Sequence, residues 1–180
     1  MADSPVIVNC AVLGNQRCGK STLVSMFSDP KSTDYLSHYN MTTDPRITNK
    51  QVRVPDDDVV YEFFFFDMPG CPLYTDLVKK YIAECQCALI LYDANDQDAV
   101  ESITHWSNVL VEATLQENLP VVLVATHSYE VEDAASVRLH AKISDLADRK
   151  GWRLARTNAV DRRDVDLPFM LLADAYNATQ

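Results

Sequence analysis

Residues Gly14-Asn15-Gln16-Arg17-Cys18-Gly19-Lys20-Ser21 fit the pattern G-x-x-x-x-G-K-[ST] in full, and no other segment constrains the fold as tightly. Ahead of them lies Val6–Leu13, VIVNCAVL, an apolar run of strand type. Behind them, residues 20–27 space their apolar side chains as a helix does. Strand, glycine turn and helix in that order aim backbone N–H groups, and the positive end of a helix dipole, at an anion. Lys20 is then placed to neutralise β- and γ-phosphates, and the Ser21 hydroxyl to ligate Mg²⁺.

The rest of the chain repeats the alternation. Strands are expected at 47–54, 59–66, 87–92, 121–125 and 152–155, and helices at 73–84, 98–116, 134–150 and 167–176. Residues 55–58, Pro-Asp-Asp-Asp, read as a solvated hairpin turn, and Gly151 reads as a helix C-cap. On the helix at 98–116, Val100, Ile103, Trp106, Val109, Leu110 and Ala113 share a face. The fold class is therefore α/β: a single P-loop NTPase domain over 1–180, with a mostly parallel six-stranded sheet covered by helices on both faces. The 180 residues are 47% hydrophobic and 23% charged, enough to bury a core. A net charge of −10 argues against nucleic acid or an anionic membrane surface as partner.

No apolar run approaches the roughly 20 residues of a membrane span, and residues 1–5 lack a basic leader. The five cysteines (10, 18, 71, 85 and 87) form no disulfide framework and suit a reducing cytoplasm. Residues 175–180 contain no cysteine, so no prenyl anchor is expected.

Asp67-Met68-Pro69-Gly70 follows the aromatic run 63–66. An aspartate at the end of a strand beside a phosphate loop holds the metal through water, and Gly70 lets a backbone N–H reach a γ-phosphate. The aromatic run is expected to be core on both faces of its strand. Thr42 and Thr43 lie in the polar stretch before the second strand, where a threonine hydroxyl can complete the Mg²⁺ shell.

Together these three sites resemble the Ras-like small GTPases over nearly the whole chain. Tyr39-Asn40-Met41-Thr42-Thr43, then Val54-Pro55-Asp56, then Phe65-Phe66-Asp67 resemble the Rab-like GTPase subunits of intraflagellar transport complex B. Trp106 and Leu91-Tyr92-Asp93 are similar to Rab proteins more widely. The resemblance implies GTP or GDP with Mg²⁺ as ligands. It assigns nucleotide contacts to Gly14, Asn15, Gln16, Arg17, Cys18, Gly19, Lys20, Ser21, Thr22, Thr42, Gly70, Thr126, His127, Tyr129, Asn158 and Ala159. The metal positions are Ser21, Thr42 and Asp67. It also implies a cytoplasmic and ciliary or flagellar location, a small jelly-roll partner subunit and coiled-coil partners in the transport complex, and no lipid anchor.

Two departures from the family pattern stand out. The base-recognition motif N-K-x-D is replaced by Thr126-His127-Ser128-Tyr129, and S-A-K by Asn158-Ala159-Val160. One phenolic oxygen on Tyr129 does not equal a bidentate carboxylate, so guanine against adenine stays open; His127 can stack on the base and the Ala159 N–H can meet a carbonyl. Cys71, followed by Pro72, stands where the family places its water-orienting glutamine, and Gln16 stands where it has glycine. At most a slow GTPase is expected. A pseudo-GTPase that serves as an interaction module is the main alternative, and a P-loop kinase of small metabolites is disfavoured by the lack of a basic lid after Val121. His38, His105, His127 and His140, and the pair Cys85 and Cys87, show no metal-ligand spacing.

Overall fold

A computed structural model describes residues 4–32, 41–54, 59–127 and 134–180. Strands β1 (Val6–Leu13), β2 (Arg46–Val54), β3 (Val59–Asp67), β4 (Cys87–Asp93), β5 (Val121–Thr126) and β6 (Arg153–Arg156) form a sheet in the order β2-β3-β1-β4-β5-β6. All neighbours run parallel except β2, which pairs antiparallel with β3 from Arg46 opposite Asp67 to Val54 opposite Val59. The helices are α1 (Lys20–Ser28), α2 (Thr75–Ile82), α3 (Ala99–Thr114), α4 (Ala134–Lys150) and α5 (Leu167–Asn177).

Alternation along the strands feeds two cores. Val8, Cys10 and Val12 of β1 pack toward α1 and α5, against Leu23, Val24, Phe27, Phe169 and Leu172. Ala11 and Leu13 point the other way, into a layer built from Val78 and Ile82 of α2, Ile103 and Trp106 of α3, and Leu139 and Ile143 of α4. β4 and β5, covered on both faces, are apolar almost throughout. On the α1/α5 side the core is largely aromatic. Phe27 stacks on Phe169 with centroids 3.7 Å apart, and Phe65 meets that pair edge-on at 5.9 and 5.0 Å.

Three local expectations need correction. The helix expected at 73–84 is a 3₁₀ turn, Pro72–Tyr74, followed by α2. Pro72 begins that turn, and the Thr75 hydroxyl donates to its carbonyl at 2.7 Å. The aromatic run is not equally core on both faces: Phe63 and Phe65 are fully buried, while Phe64 and Phe66 are only half-buried beside β2. Strand β6 sits one residue later than the apolar pattern indicates. Gly151 does end α4: its φ is +67°, and the Trp152 N–H returns to the Ala147 carbonyl at 2.9 Å. The turn expected at 55–58 lies outside the described residues.

This topology sets the ends of β1, β3, β4, β5 and β6 on one rim, and the motif residues follow directly from those ends. In open α/β sheets that rim is where ligands bind.

Candidate nucleotide and metal site

Lys20 is the first residue of α1, and its side chain folds back under the loop that precedes it. Its Nζ donates to the carbonyls of Gly14 and Asn15 at 2.9 and 2.8 Å, and only 6% of the residue is exposed. A buried ammonium fixed by carbonyl dipoles is suited to meet the charge of a phosphate. Gly14 and Gly19 adopt positive φ, and so does Arg17 at +63°, a strained angle for a residue with a side chain. The Cys18 thiol is buried, and burial pushes its pKa up against the opposing pull of Lys20.

The three expected metal positions come together. Ser21 Oγ lies 3.1 Å from Thr42 Oγ1, although Thr42 arrives from the far side of the α1–β2 connection. Neighbouring oxygens of an octahedral Mg²⁺ shell with bonds of 2.0–2.1 Å stand about 2.9 Å apart, so this pair already has the required spacing. Thr43 does not join them; its hydroxyl turns to Asp44 at 3.1 Å. Asp67 ends β3 beside the pair and is 2% exposed, and its Oδ1 has no hydrogen-bond partner among the described residues. Burial pushes the Asp67 carboxyl above its ordinary range, opposed by the Ser21 hydroxyl and by the charges of Lys20 and Arg46. An orphaned carboxylate oxygen next to two hydroxyls fits a hard divalent cation. Ser21, Thr42 and Asp67 would hold it, with Lys20 facing the phosphates.

Gly70 closes this end. A Cβ there would sit 2.6 Å from the Asn15 carbonyl carbon, from Gly14 O and from Lys20 Nζ. The Asp67–Gly70 turn is thus seated on the phosphate loop through bare backbone. Cys71 follows, half-buried, and the chain then enters the Pro72 turn. Gln16 is exposed.

The base side is built differently. The Thr126 hydroxyl donates to Tyr92 O at 3.0 Å, and its methyl packs where a Cβ on Gly19 would stand, 3.7 Å away. Thr126 therefore supports the phosphate loop, and its hydroxyl proton is committed to the Tyr92 carbonyl. His127 has a φ of +56°, and its Nδ1 lies 3.2 Å from Asp93 Oδ2. Asn158 is buried, and its side-chain NH₂ donates to Asp161 at 3.1 Å; Ala159 is half-buried beside it. Thr22 lies in the first turn of α1, half-buried. Ser128 and Tyr129 lie outside the described residues.

A cavity of about 170 Å³ opens on the α3 side of the phosphate loop, lined by Asn15 to Cys18, Tyr92, Asp93, Asp96 and Ser102. It shares the loop with the site but includes none of Ser21, Thr42 and Asp67. Among the described residues no group of three or more His, Cys, Asp or Glu side chains gathers as a metal site.

One contact was hidden in the sequence. The fully buried Trp106 donates from Nε1 to Asn15 Oδ1 at 2.9 Å. Helical spacing marked Trp106 as a core residue, and nothing in the spacing pointed to its polar end.

The strand-loop-helix and the turn after β3 are the parts of a P-loop GTPase, and the chain belongs to the Ras family, whose sequence profile it matches over residues 9–178. It is 30% identical to Intraflagellar transport protein 27 of Chlamydomonas reinhardtii, covering 92% of this chain and 82% of that protein. It is 27% identical to the Intraflagellar transport protein 27 homolog of Mus musculus, over 93% and 88% of the two chains. It also resembles Ras-related protein Rab-5A of Dictyostelium discoideum at 24% identity, over 90% and 77%.

Proposed function

We propose that this chain is a Rab-like GTP-binding subunit of intraflagellar transport complex B, one domain over 1–180 that acts through its bound state. The observation that carries the nucleotide reading is the approach of Ser21 Oγ and Thr42 Oγ1 to 3.1 Å beside the orphaned oxygen of Asp67. Thr42 belongs to the α1–β2 connection, so its seat at Ser21 is the contact by which that segment can sense a metal and a γ-phosphate. The relatives carry the second half, since two of those compared are named for intraflagellar transport.

In this reading Mg²⁺, when bound, neutralises charge on the β- and γ-phosphates. The chain's own residues do the rest. Lys20 offers a fixed buried cation, the Gly70 backbone closes over the phosphate end, and Thr42 ties the preceding segment to α1. Cys71 offers no amide to orient an attacking water, so the site favours binding over turnover. The partners are a small jelly-roll subunit and coiled-coil subunits of the transport complex, and the place of action is the cilium or flagellum. No described helix is long and apolar enough to cross a membrane.

Capture from flagellated-cell extract, with the chain preloaded with GDP or a non-hydrolysable GTP analogue, tests this reading. Recovery of transport-complex subunits, differing between the two loads, supports a switch. Equal recovery favours the second reading, a pseudo-GTPase, because a ligand that binds both states alike shifts nothing. That second reading draws on Cys71, on Gln16 and on the degenerate base-recognition motif Thr126-His127-Ser128-Tyr129. Recovery of no transport subunit contradicts both.

A further inference from the structure

Among the described residues, Arg162 joins the two loops that flank the base side. Arg162 donates from Nη1 to the Pro30 carbonyl and from Nη2 to the Ser32 carbonyl, each at 2.5 Å, across some 130 residues of chain. We propose that Arg162 is a positioning residue that latches the start of the α1–β2 connection to the β6–α5 loop, and so sets how long a bound nucleotide stays. The proposal rests on the nucleotide reading above and adds to it a determinant of dwell time.

Both ends of the latch are shaped in advance. The β6–α5 loop closes on itself: Asn158 and Arg163 exchange N–H···O bonds at 3.1 and 2.9 Å, and the Asp161 N–H returns to the Asn158 side chain at 3.1 Å. Arg162 stands at the tip of this hairpin with a φ of +53°. Opposite it, the Lys31 N–H bonds the Asp29 side chain and the Ser32 N–H bonds the Asp29 carbonyl, both at 2.9 Å. The turn after α1 is thereby fixed with two carbonyls facing outward. A planar guanidinium presents two parallel donors to such a pair, which a single ammonium cannot do.

The latch completes a ring. Lys20 opens α1 at the phosphate loop; α1 leads to Pro30 and Ser32; Arg162 bridges to the loop carrying Asn158; and β6, beside β5, returns to Thr126, whose methyl packs on Gly19. That ring borders the crevice where base and ribose must lie, between the phosphate loop and the ends of β5 and β6. Releasing Arg162 therefore frees the turn at 29–32, from which the chain leads on toward Thr42.

Stopped-flow measurement with N-methylanthraniloyl-GDP on the full chain tests the proposal. Arg162→Ala should raise the dissociation rate about tenfold and change the association rate by less than about twofold, the pattern of a contact that acts on residence. Arg162→Lys should fall between. Amide hydrogen exchange at residues 29–32, measured without added nucleotide, should speed up in Arg162→Ala. A dissociation rate within about twofold of wild type overturns the dwell-time role even if exchange rises. If wild type takes up no labelled GDP, the nucleotide reading itself has failed and the dwell-time role fails with it; unchanged exchange at 29–32 then rejects the latch as well.

Discussion

Trp106 Nε1 donates to Asn15 Oδ1 at 2.9 Å, so a fully buried ring of α3 holds the second residue of the phosphate loop by its side chain. The Asn15 carbonyl meanwhile accepts from Lys20 Nζ. One residue thus connects the core to the cation that faces the phosphates. Replacing Trp106 by Phe removes the donor and keeps an aromatic ring in place. Nucleotide affinity should fall roughly fivefold, the equivalent of about 1 kcal/mol for one hydrogen bond. Titration with labelled GDP would measure it, and an unchanged affinity would show that Asn15 needs no support from α3.

Gly70 admits no side chain without movement of backbone. Two of the three atoms that meet its notional Cβ at 2.6 Å are main-chain atoms of Gly14 and Asn15. Gly70→Ala should displace the turn after Asp67 and destabilise the protein by about 1–3 kcal/mol, the range for overpacking. GTP affinity should fall more than GDP affinity, because only the triphosphate reaches that turn. Chemical denaturation and nucleotide competition measure the two effects separately.

Cys71 is the half-buried thiol among five, the others being buried. Burial also pushes the Cys10, Cys18 and Cys85 thiols up, for Cys10 with Cys87 adding to the effect. Brief treatment of native protein with iodoacetamide should label Cys71 first, as read by peptide mass mapping. Cys71→Gln should speed single-turnover GTP hydrolysis only modestly, since Pro72 still fixes the turn and Gln16 still stands in the phosphate loop. Fast turnover by the unmodified chain, on the order of 1 s⁻¹, would mean that another residue positions the water.

The placement of Lys20, Ser21 and Asp67 at the strand ends was legible in the sequence because each depends on local order, whereas the seat of Thr42 at Ser21 does not. A strand, a glycine-rich turn and a helix put Lys20 and Ser21 in place whatever the rest does, and Asp67 needs only to end β3. The α/β alternation was legible for the same reason, through continuous apolar runs in β4 and β5. Long-range polar contacts were not. Trp106 to Asn15 spans 91 residues, and Arg162 to Pro30 spans 132. No periodicity encodes which polar tip of a core or loop residue meets which distant carbonyl. The 3₁₀ turn at Pro72–Tyr74 was missed because the apolar spacing of α2 extends back through Leu73, whereas Pro72 and the Thr75 hydroxyl set the actual start.

Base choice is where sequence and geometry part. The Thr126 hydroxyl donates to Tyr92 O, and the sequence has Tyr129 at the motif position where the family carries a carboxylate, whose charge-assisted bonds are worth about 1.5–3 kcal/mol each. Tyr129→Asp should raise the preference for GTP over ATP at least about tenfold in equilibrium competition. A wild type that already rejects ATP, with no gain on substitution, would place base recognition on other groups.

The account rests on Lys20, Ser21, Thr42 and Asp67 forming one Mg²⁺-dependent nucleotide site. Chromatography of the nucleotide released from purified protein, wild type beside Lys20→Ala, tests that directly. The wild type should yield close to one equivalent of guanine nucleotide, lost on Mg²⁺ chelation, and its melting temperature should fall with that loss. Lys20→Ala should yield none. Equal nucleotide content in the two proteins would contradict the site.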